Sequence, residues 1–303
     1  MTKIITICGP TGIGKTGFAI ALARELNGEI IGADSMQIYK YMDIGTAKPD
    51  ERERQLAIHH LVDFLDPTDN FDAKRFTALA DHAISDIAKR GRVPVVAGGT
   101  GLYIRALLHG LFRGKPACSA TLDNLNQSLE KNGGPALHEQ LKKCDPAAAE
   151  KIHPNDGFRI VRALEVFLTT GVPISQCRQT HDFKSERYQS LTFGLHMDRK
   201  LLYDRINQRV DIMMAQGLLD EVKNLMNQGY SLELKSMQSI GYRHMGMYIK
   251  GDISLEEAVR LLKRDTRRYA KRQFTWFNKE KNLIWIDAKE LGKAIETAKK
   301  FLR

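Results

Sequence analysis

The sequence predicts an α/β protein: a parallel sheet with flanking helices and a mostly helical insertion domain. Residues 9–16, Gly-Pro-Thr-Gly-Ile-Gly-Lys-Thr, stand between an apolar run ending at Cys8 and a helical pattern, the strand, loop, helix order of a phosphate-binding P-loop. Over residues 1–100, short β-rich runs alternate with helical patterns, as in a parallel sheet joined by crossover helices. After Gly110 the composition turns polar and helix-favouring, which marks an inserted unit.

Taken in order, strands are expected at 4–8, 29–33, 61–65 and 93–97, where apolar residues run together between turn signals. Helices fit 15–26 and 73–90, the second carrying Phe76, Leu79, Ala80, Ala83, Ile84 and Ile87 on one stripe. Beyond Gly110, Gly133-Gly134-Pro135 breaks a polar helical stretch, and a helix over 158–169 ends near Gly171-Val172-Pro173. A strand at 191–196 rejoins the core, followed by helices at 199–216 and 218–227, a long basic helix around 260–274 and a last strand at 283–286. The expected catalytic core is therefore 1–113 together with 188–303, with 114–187 as the insertion domain.

A chain of 303 residues with 43% hydrophobic content supports a substantial core, and its net charge of +10 favours a polyanionic partner. Between Arg260 and Arg272 stand Arg260, Lys263, Arg264, Arg267, Arg268, Lys271 and Arg272 against the single acid Asp265, so local charge pairing is short of partners and an RNA-facing helix is expected. Cys8, Cys118, Cys144 and Cys177 show no CxxC spacing, which predicts reduced thiols, no zinc and a cytoplasmic location. His59, His60, His153 and His181 are scattered and read as loop or core residues. The chain opens on a strand, not a leader, and no apolar run nears the ~20 residues of a bilayer span, so no membrane association is expected.

The chemistry converges on strand ends. In the loop Gly9-Pro10-Thr11-Gly12-Ile13-Gly14 the backbone N–H groups, which Pro10 lacks, can turn around a diphosphate, Lys15 can bridge two phosphates, and the Thr16 hydroxyl can hold Mg²⁺. The loop does not say which phosphate compound it binds. Asp34 follows the second strand on the ligand-binding edge of an open sheet, placed for proton transfer or for capping a turn. Gly98-Gly99-Thr100-Gly101 supplies a third strand-end cluster with one hydroxyl.

Eight segments carry a resemblance: GPTGIGKT at 9–16, ADSMQIY at 33–39, DIGTAKP at 43–49, GGTGLYIRALL at 98–108, DPAAAEKIHPND at 145–156, RIVRALEVF at 159–167, IGYRH at 240–244 and KRQFTWF at 271–277. In order and spacing the chain resembles the tRNA dimethylallyltransferases, also called tRNA isopentenyltransferases. The resemblance implies transfer of a dimethylallyl group from dimethylallyl diphosphate to N6 of the adenosine immediately 3′ of the anticodon, with Mg²⁺ assisting, by a monomer that grips the anticodon stem-loop. It implies Asp34 as the base, Lys15 at the diphosphate and Thr100 near the reacting centre. It also implies tRNA contacts from Asp34, Ser35, Met36, Gln37 and Thr100, and from Phe158, Arg159, Ile160, Val161 and Arg162 in the insertion. Late in the chain the implied contacts are Ser239, Ile240, Gly241, Tyr242, Arg243 and His244, then Lys271, Arg272, Gln273, Phe274, Thr275, Trp276, Phe277 and Asn278. Trp276 reads as core ahead of a stacking contact.

The chain departs from the family pattern at Phe158, where members carry Gln, at Asn278, where many carry Arg, and over 116–123, which lacks a substrate-contacting Arg. Arg113 is the expected substitute. Two other activities share the loop: a P-loop small-molecule kinase, which requires ATP and lid arginines, and an isopentenyltransferase acting on free adenine nucleotide, which needs no basic surface. A non-catalytic RNA-binding protein would form no product at all.

Overall fold

The computed structural model describes residues 1–111, 119–181 and 185–303. Its chain forms two compact units, Met1–Leu108 with Glu186–Arg303, and His109–Ser185. In order the elements are β1 (Lys3–Cys8), α1 (Lys15–Glu25), β2 (Gly28–Gly32), α2 (Glu51–Leu56), β3 (His59–His60), α3 (Ala73–Lys89), β4 (Val93–Gly98) and α4 (Gly101–His109). The second unit holds α5 (Ser119–Cys144), α6 (Pro146–Ala149), α7 (Gly157–Thr170) and α8 (Ile174–His181). The first then resumes with β5 (Gln189–His196), α9 (Arg199–Ala215), α10 (Leu218–Asn227), α11 (Tyr242–Ile249), α12 (Leu255–Phe277), β6 (Leu283–Asp287) and α13 (Leu291–Leu302).

The described strands make one six-stranded, wholly parallel sheet in the order β3-β2-β4-β1-β5-β6. Ile4, Ile5 and Ile7 on β1 are 0% exposed, as expected of a central parallel strand covered on both faces. One core cluster joins Ile5, Ile7, Phe18, Leu22, Phe193 and Ile286 with Ala294 and Ala298 of α13. Each large side chain buried there contributes about 1.5–3 kcal/mol. A second cluster packs Ile38, Tyr39 and Met42, from the segment after β2, against Met213, Val222, Tyr242 and Leu262 of α9 to α12. The order of the sheet sets β2, β4 and β1 side by side, so the segments leaving their carboxyl ends share one edge.

The strand expected at 61–65 is replaced by the two-residue β3 at His59–His60. Leu61 and Asp63 adopt positive φ, 59° and 60°, which an extended run cannot accommodate. The chain turns instead and grips the segment after β2: the Asp63 amide donates to Gln37 O, the Phe64 and Leu65 amides donate to Ile38 O, and the Lys40 amide donates to Leu65 O.

The second unit has its own core of Leu137, Leu141, Ala148, Ile152, Ile160 and Leu164. Its long α5 is kinked where the sequence places a break, with Gly133 at φ 77° and ψ 166° two residues before Pro135. Asp145 caps α6 through Ala148 N, and Asp156 caps α7 through Arg159 N.

Candidate active site

The P-loop leaves β1 and turns into α1 through Gly14, which sits at φ 100° in the left-handed region. Ile13 is fully buried and anchors the loop to the core, leaving its main chain to face a ligand. Lys15 Nζ folds back onto its own loop, donating to Gly9 O at 3.0 Å and Pro10 O at 2.8 Å. Burial lowers the Lys15 pKa to about 8, against the opposing pull of the Asp34 carboxylate. The loop's far side is tied down by Gln273 of α12, whose Oε1 accepts from Thr11 N at 2.8 Å and whose Nε2 donates to Gly99 O at 2.9 Å. One amide thus couples the first and third strand-end loops.

A cavity of about 360 Å³ opens over this loop, lined by Thr11, Gly12, Gly14, Lys15 and Thr16 together with Asp34, Gln37 and Gln273. Helix α9 forms its roof. Asp198 caps that helix through Lys200 N and Leu201 N, and its buried stripe of Leu202, Ile206, Val210 and Met213 packs against the core. A Cβ built on Gly12 would lie 2.9 Å from Ile206 Cγ1, so the helix rests directly on the loop. Packed this way, α9 turns Arg205 and Arg209, one turn apart, to the cavity. The position of a Cβ on Gly14 is 3.6 Å from Arg205 Nη2, and Arg209 Nη1 donates to Thr11 Oγ1 at 3.4 Å. Burial lowers the Arg209 pKa while Asp34 raises it. His59, Val62, Ala97 and Ile212 also line the cavity.

Asp34 caps a turn at the edge of the cavity it lines, its Oδ1 accepting from Met36 N at 2.8 Å and Gln37 N at 3.3 Å. Thr100 is not among the cavity-lining residues. Its Oγ1 accepts from Ser35 N at 3.1 Å and its amide donates to Ala33 O, which locks the third loop beside Asp34. Gly98 permits that approach, since a Cβ there would meet Ala33 O at 2.0 Å. Burial and the Asp34 charge push the Tyr269 phenol up, against the hydrogen bonds from Gln273 and Thr100, so it stays neutral. The Gln37 amide nitrogen is committed to Ala47 O at 2.9 Å and Thr46 O at 3.3 Å.

The segments expected at RNA divide by burial. Phe158 is 78% exposed, and Arg159 and Arg162 are exposed beside Asp156 and Glu165, whereas Ile160 and Val161 are core residues of the second unit. Tyr242, His244 and Phe277 are buried, which removes their side chains from direct reach of RNA, and Gln273 is occupied as the tie between loops. Gly241 is buried, its amide donating to His244 Nδ1; Ser239, Ile240 and Arg243 are half-buried. Lys271, Arg272, Thr275 and Asn278 are exposed, and Phe274 leans on Trp285. Trp276 is half-buried, flat against Gly101 and 4.3 Å beneath the Arg105 guanidinium. Arg113 lies outside the described residues, as does 112–118.

The basic helix α12 corrects the expectation of missing partners. Asp265 gathers Arg243, Arg264, Arg268 and His244, Lys263 pairs with Asp211, Arg260 with Glu257, and Arg267 donates to Asn207 Oδ1. Of these partners Asp265 lies within the basic stretch itself, whereas Asp211 and Asn207 come from α9 and Glu257 from the first turn of α12, outside 260–272. The neighbouring guanidinium groups hold the Asp265 carboxyl well below the usual carboxylate range. Arg205, Arg209 and Tyr269 are the site residues that sequence reading missed; the one available signal was the four-residue spacing of the two arginines on an amphipathic helix. Among the described residues, no three His, Cys, Asp or Glu side chains group as a metal site, and no helix is long and apolar enough to cross a membrane.

Comparison with known proteins agrees with this geometry. A family model described as IPP transferase matches residues 37–280, and one described as isopentenyl transferase matches residues 2–64. The chain is 53% identical over 302 residues to a tRNA dimethylallyltransferase of Desulfosudis oleivorans, covering 99% of this chain and 96% of that protein. The crystal structure of a tRNA isopentenylpyrophosphate transferase from Bacillus halodurans matches with a TM-score of 0.75 at 41% identity, covering 100% and 97% of the two chains. A eukaryotic dimethylallyltransferase solved acting on tRNA matches with a TM-score of 0.81 at 31% identity, over 95% of this chain and 74% of that one. The chain belongs to the IPP transferase family.

Proposed function

We infer that this transferase moves the dimethylallyl group of dimethylallyl diphosphate to N6 of the adenosine 3′ of the anticodon in tRNA, releasing diphosphate. The observation that carries the reading is the convergence of the P-loop, Lys15, Arg205, Arg209 and Asp34 on one cavity. As the allylic C–O bond breaks, its electron pair goes to the diphosphate and cation character grows at carbon. Loop amides, Lys15 and the two arginines lie where that negative charge develops. The N6 lone pair forms the new C–N bond, and the N6 proton passes to the Asp34 carboxylate, which assists by about 10²- to 10⁴-fold. Thr100 acts by holding Ser35 and thereby the Asp34 turn.

The Thr16 hydroxyl, in the cavity wall on the first turn of α1, would be the residue to hold a Mg²⁺. When bound, the ion neutralises charge on the departing diphosphate. Exposed Arg159, Arg162, Lys271 and Arg272, with the Asp265-held arginines, supply phosphate contacts for the tRNA. The target base leaves the anticodon-loop stack at a cost of a few kcal/mol. A monomer is the expected working unit, and a tRNA substrate implies the cytoplasm.

One observation favours a second reading: Arg205 and Arg209 over the P-loop are what a P-loop kinase needs. Incubation with labelled dimethylallyl diphosphate, Mg²⁺ and bulk tRNA lacking the modification, followed by digestion, separates the two. The expected product is a labelled N6-substituted adenosine. Label that stays off RNA, with ATP turned over instead, would support the kinase; transfer to AMP but not tRNA would identify the free-nucleotide enzyme.

A further inference from the structure

The geometry points to Glu221 of α10, with Tyr242 of α11, as a positioning pair that sets the Asp34–Gln37 wall of the cavity, an inference that rests on the transfer reaction above. Three successive amides of the segment after β2 converge on one carboxylate. Asp43 N and Ile44 N donate to Glu221 Oε2 at 2.9 and 2.7 Å, and Gly45 N donates to Oε1 at 3.1 Å. The Tyr242 hydroxyl adds a fourth donor, 2.5 Å from the same Oε1. Tyr242 is fully buried, and its phenol is driven well up by burial and by the Glu221 charge, so it remains a proton donor at all working pH. Gly45 lies against the Tyr242 ring so closely that a Cβ would sit 2.5 Å from Cε2.

The grip continues to the active site. The carbonyls of Thr46 and Ala47, next in the chain, hold the Gln37 amide nitrogen, and Gln37 N in turn donates to Asp34 Oδ1. Thr46, Ala47 and Pro49 line the same cavity as Asp34 and Gln37. A carboxylate that satisfies four donors is a fixed point, and the acceptor side of the cavity is suspended from it. The diphosphate side hangs instead on Gln273 and α9. Loosening Glu221 should therefore damage transfer to the base and spare diphosphate binding.

The test uses the full chain carrying Glu221→Gln, Tyr242→Phe or Gly45→Ala. Each is assayed for single-turnover transfer to tRNA, for affinity toward inorganic diphosphate and for amide hydrogen exchange. Glu221→Gln turns two accepting lone pairs into a donor facing N–H groups. It should lower the transfer rate by about 10- to 100-fold, as sub-ångström misplacement of reacting groups does. Diphosphate affinity should stay within about twofold, and protection should fall at Asp43, Ile44, Gly45, Met36 and Gln37. Tyr242→Phe should act in the same direction to a smaller degree. If Glu221→Gln does not fold, Tyr242→Phe and Gly45→Ala decide. Transfer within about twofold of the parent in folded variants overturns the inference, as does a parallel loss of diphosphate affinity. If the parent itself transfers nothing, the reaction assigned above is wrong, and unchanged exchange at Met36 and Gln37 in the variants would then overturn the positioning pair separately.

Discussion

Lys15 shows how a single residue's surroundings set a measurable property. Its ammonium is buried on two carbonyls with its pKa lowered to about 8, so it is cationic at neutral pH and loses the charge as pH rises past that value. A bound diphosphate favours the charged form, so affinity is full below about pH 8 and falls by up to about tenfold per pH unit above it. The ratio of the parent's affinity for inorganic diphosphate to that of Lys15→Met, followed between about pH 7 and pH 9, should decline with this midpoint. A flat ratio would mean that Lys15 does not meet the anion. Asp34 and Lys15 were legible in the sequence because local chemistry names them: a loop of fixed spacing, and an acid at a strand end. Arg205 and Arg209 were not, because on α9 they are ordinary polar positions flanking buried Leu202, Ile206 and Val210, and only tertiary packing turns them over Gly12 and Gly14. The side chains of Tyr242 and His244 are buried for the converse reason: a motif gives residue order, and packing decides what the side chain touches.

Helix α12 presents two different sets of side chains along its length. Its inner face supplies Gln273, the tie between P-loop and third loop, and its outer face carries basic residues arranged by Asp265. Gln273→Ala should release Thr11 N and Gly99 O together, leaving buried polar groups unpaired at a cost of about 1–3 kcal/mol each, and diphosphate affinity should fall with thermal stability. Unchanged affinity would show that the loop needs no support from this helix. Arg268→Ala and Lys271→Ala should weaken tRNA binding across sequences and lower the salt slope by about one for each phosphate that is no longer neutralised. A salt slope identical to the parent's would assign those residues to structure. The period of apolar residues made α1, α3, α7 and α10 readable to within a residue or two, since each buries one stripe. The strand expected at 61–65 failed because Leu61 and Asp63 turn at positive φ, a conformation rare for Leu and one that a lone Asp within an apolar run does not announce.

At the scale of the whole molecule, a basic chain of two units divides its tasks. The first unit holds the sheet, the cavity and α12, and the second has its own core around Leu137 and Leu164. Leu137→Ala, at a fully buried position, should cost about 2–5 kcal/mol in the second unit and leave inorganic diphosphate binding by the first unchanged. Calorimetry alongside binding checks this, and equal loss in both would show that the units fold as one. The central claim is that the cavity grips a departing diphosphate while Asp34 takes the proton of an extruded adenine. Its most direct test is single-turnover transfer from dimethylallyl diphosphate to an anticodon stem-loop by Asp34→Ala. The account predicts a chemical step slowed by about 10²-fold or more with both substrates still bound at near-parental affinity. A variant that transfers at the parental rate, or that loses binding and rate in equal measure, would contradict it.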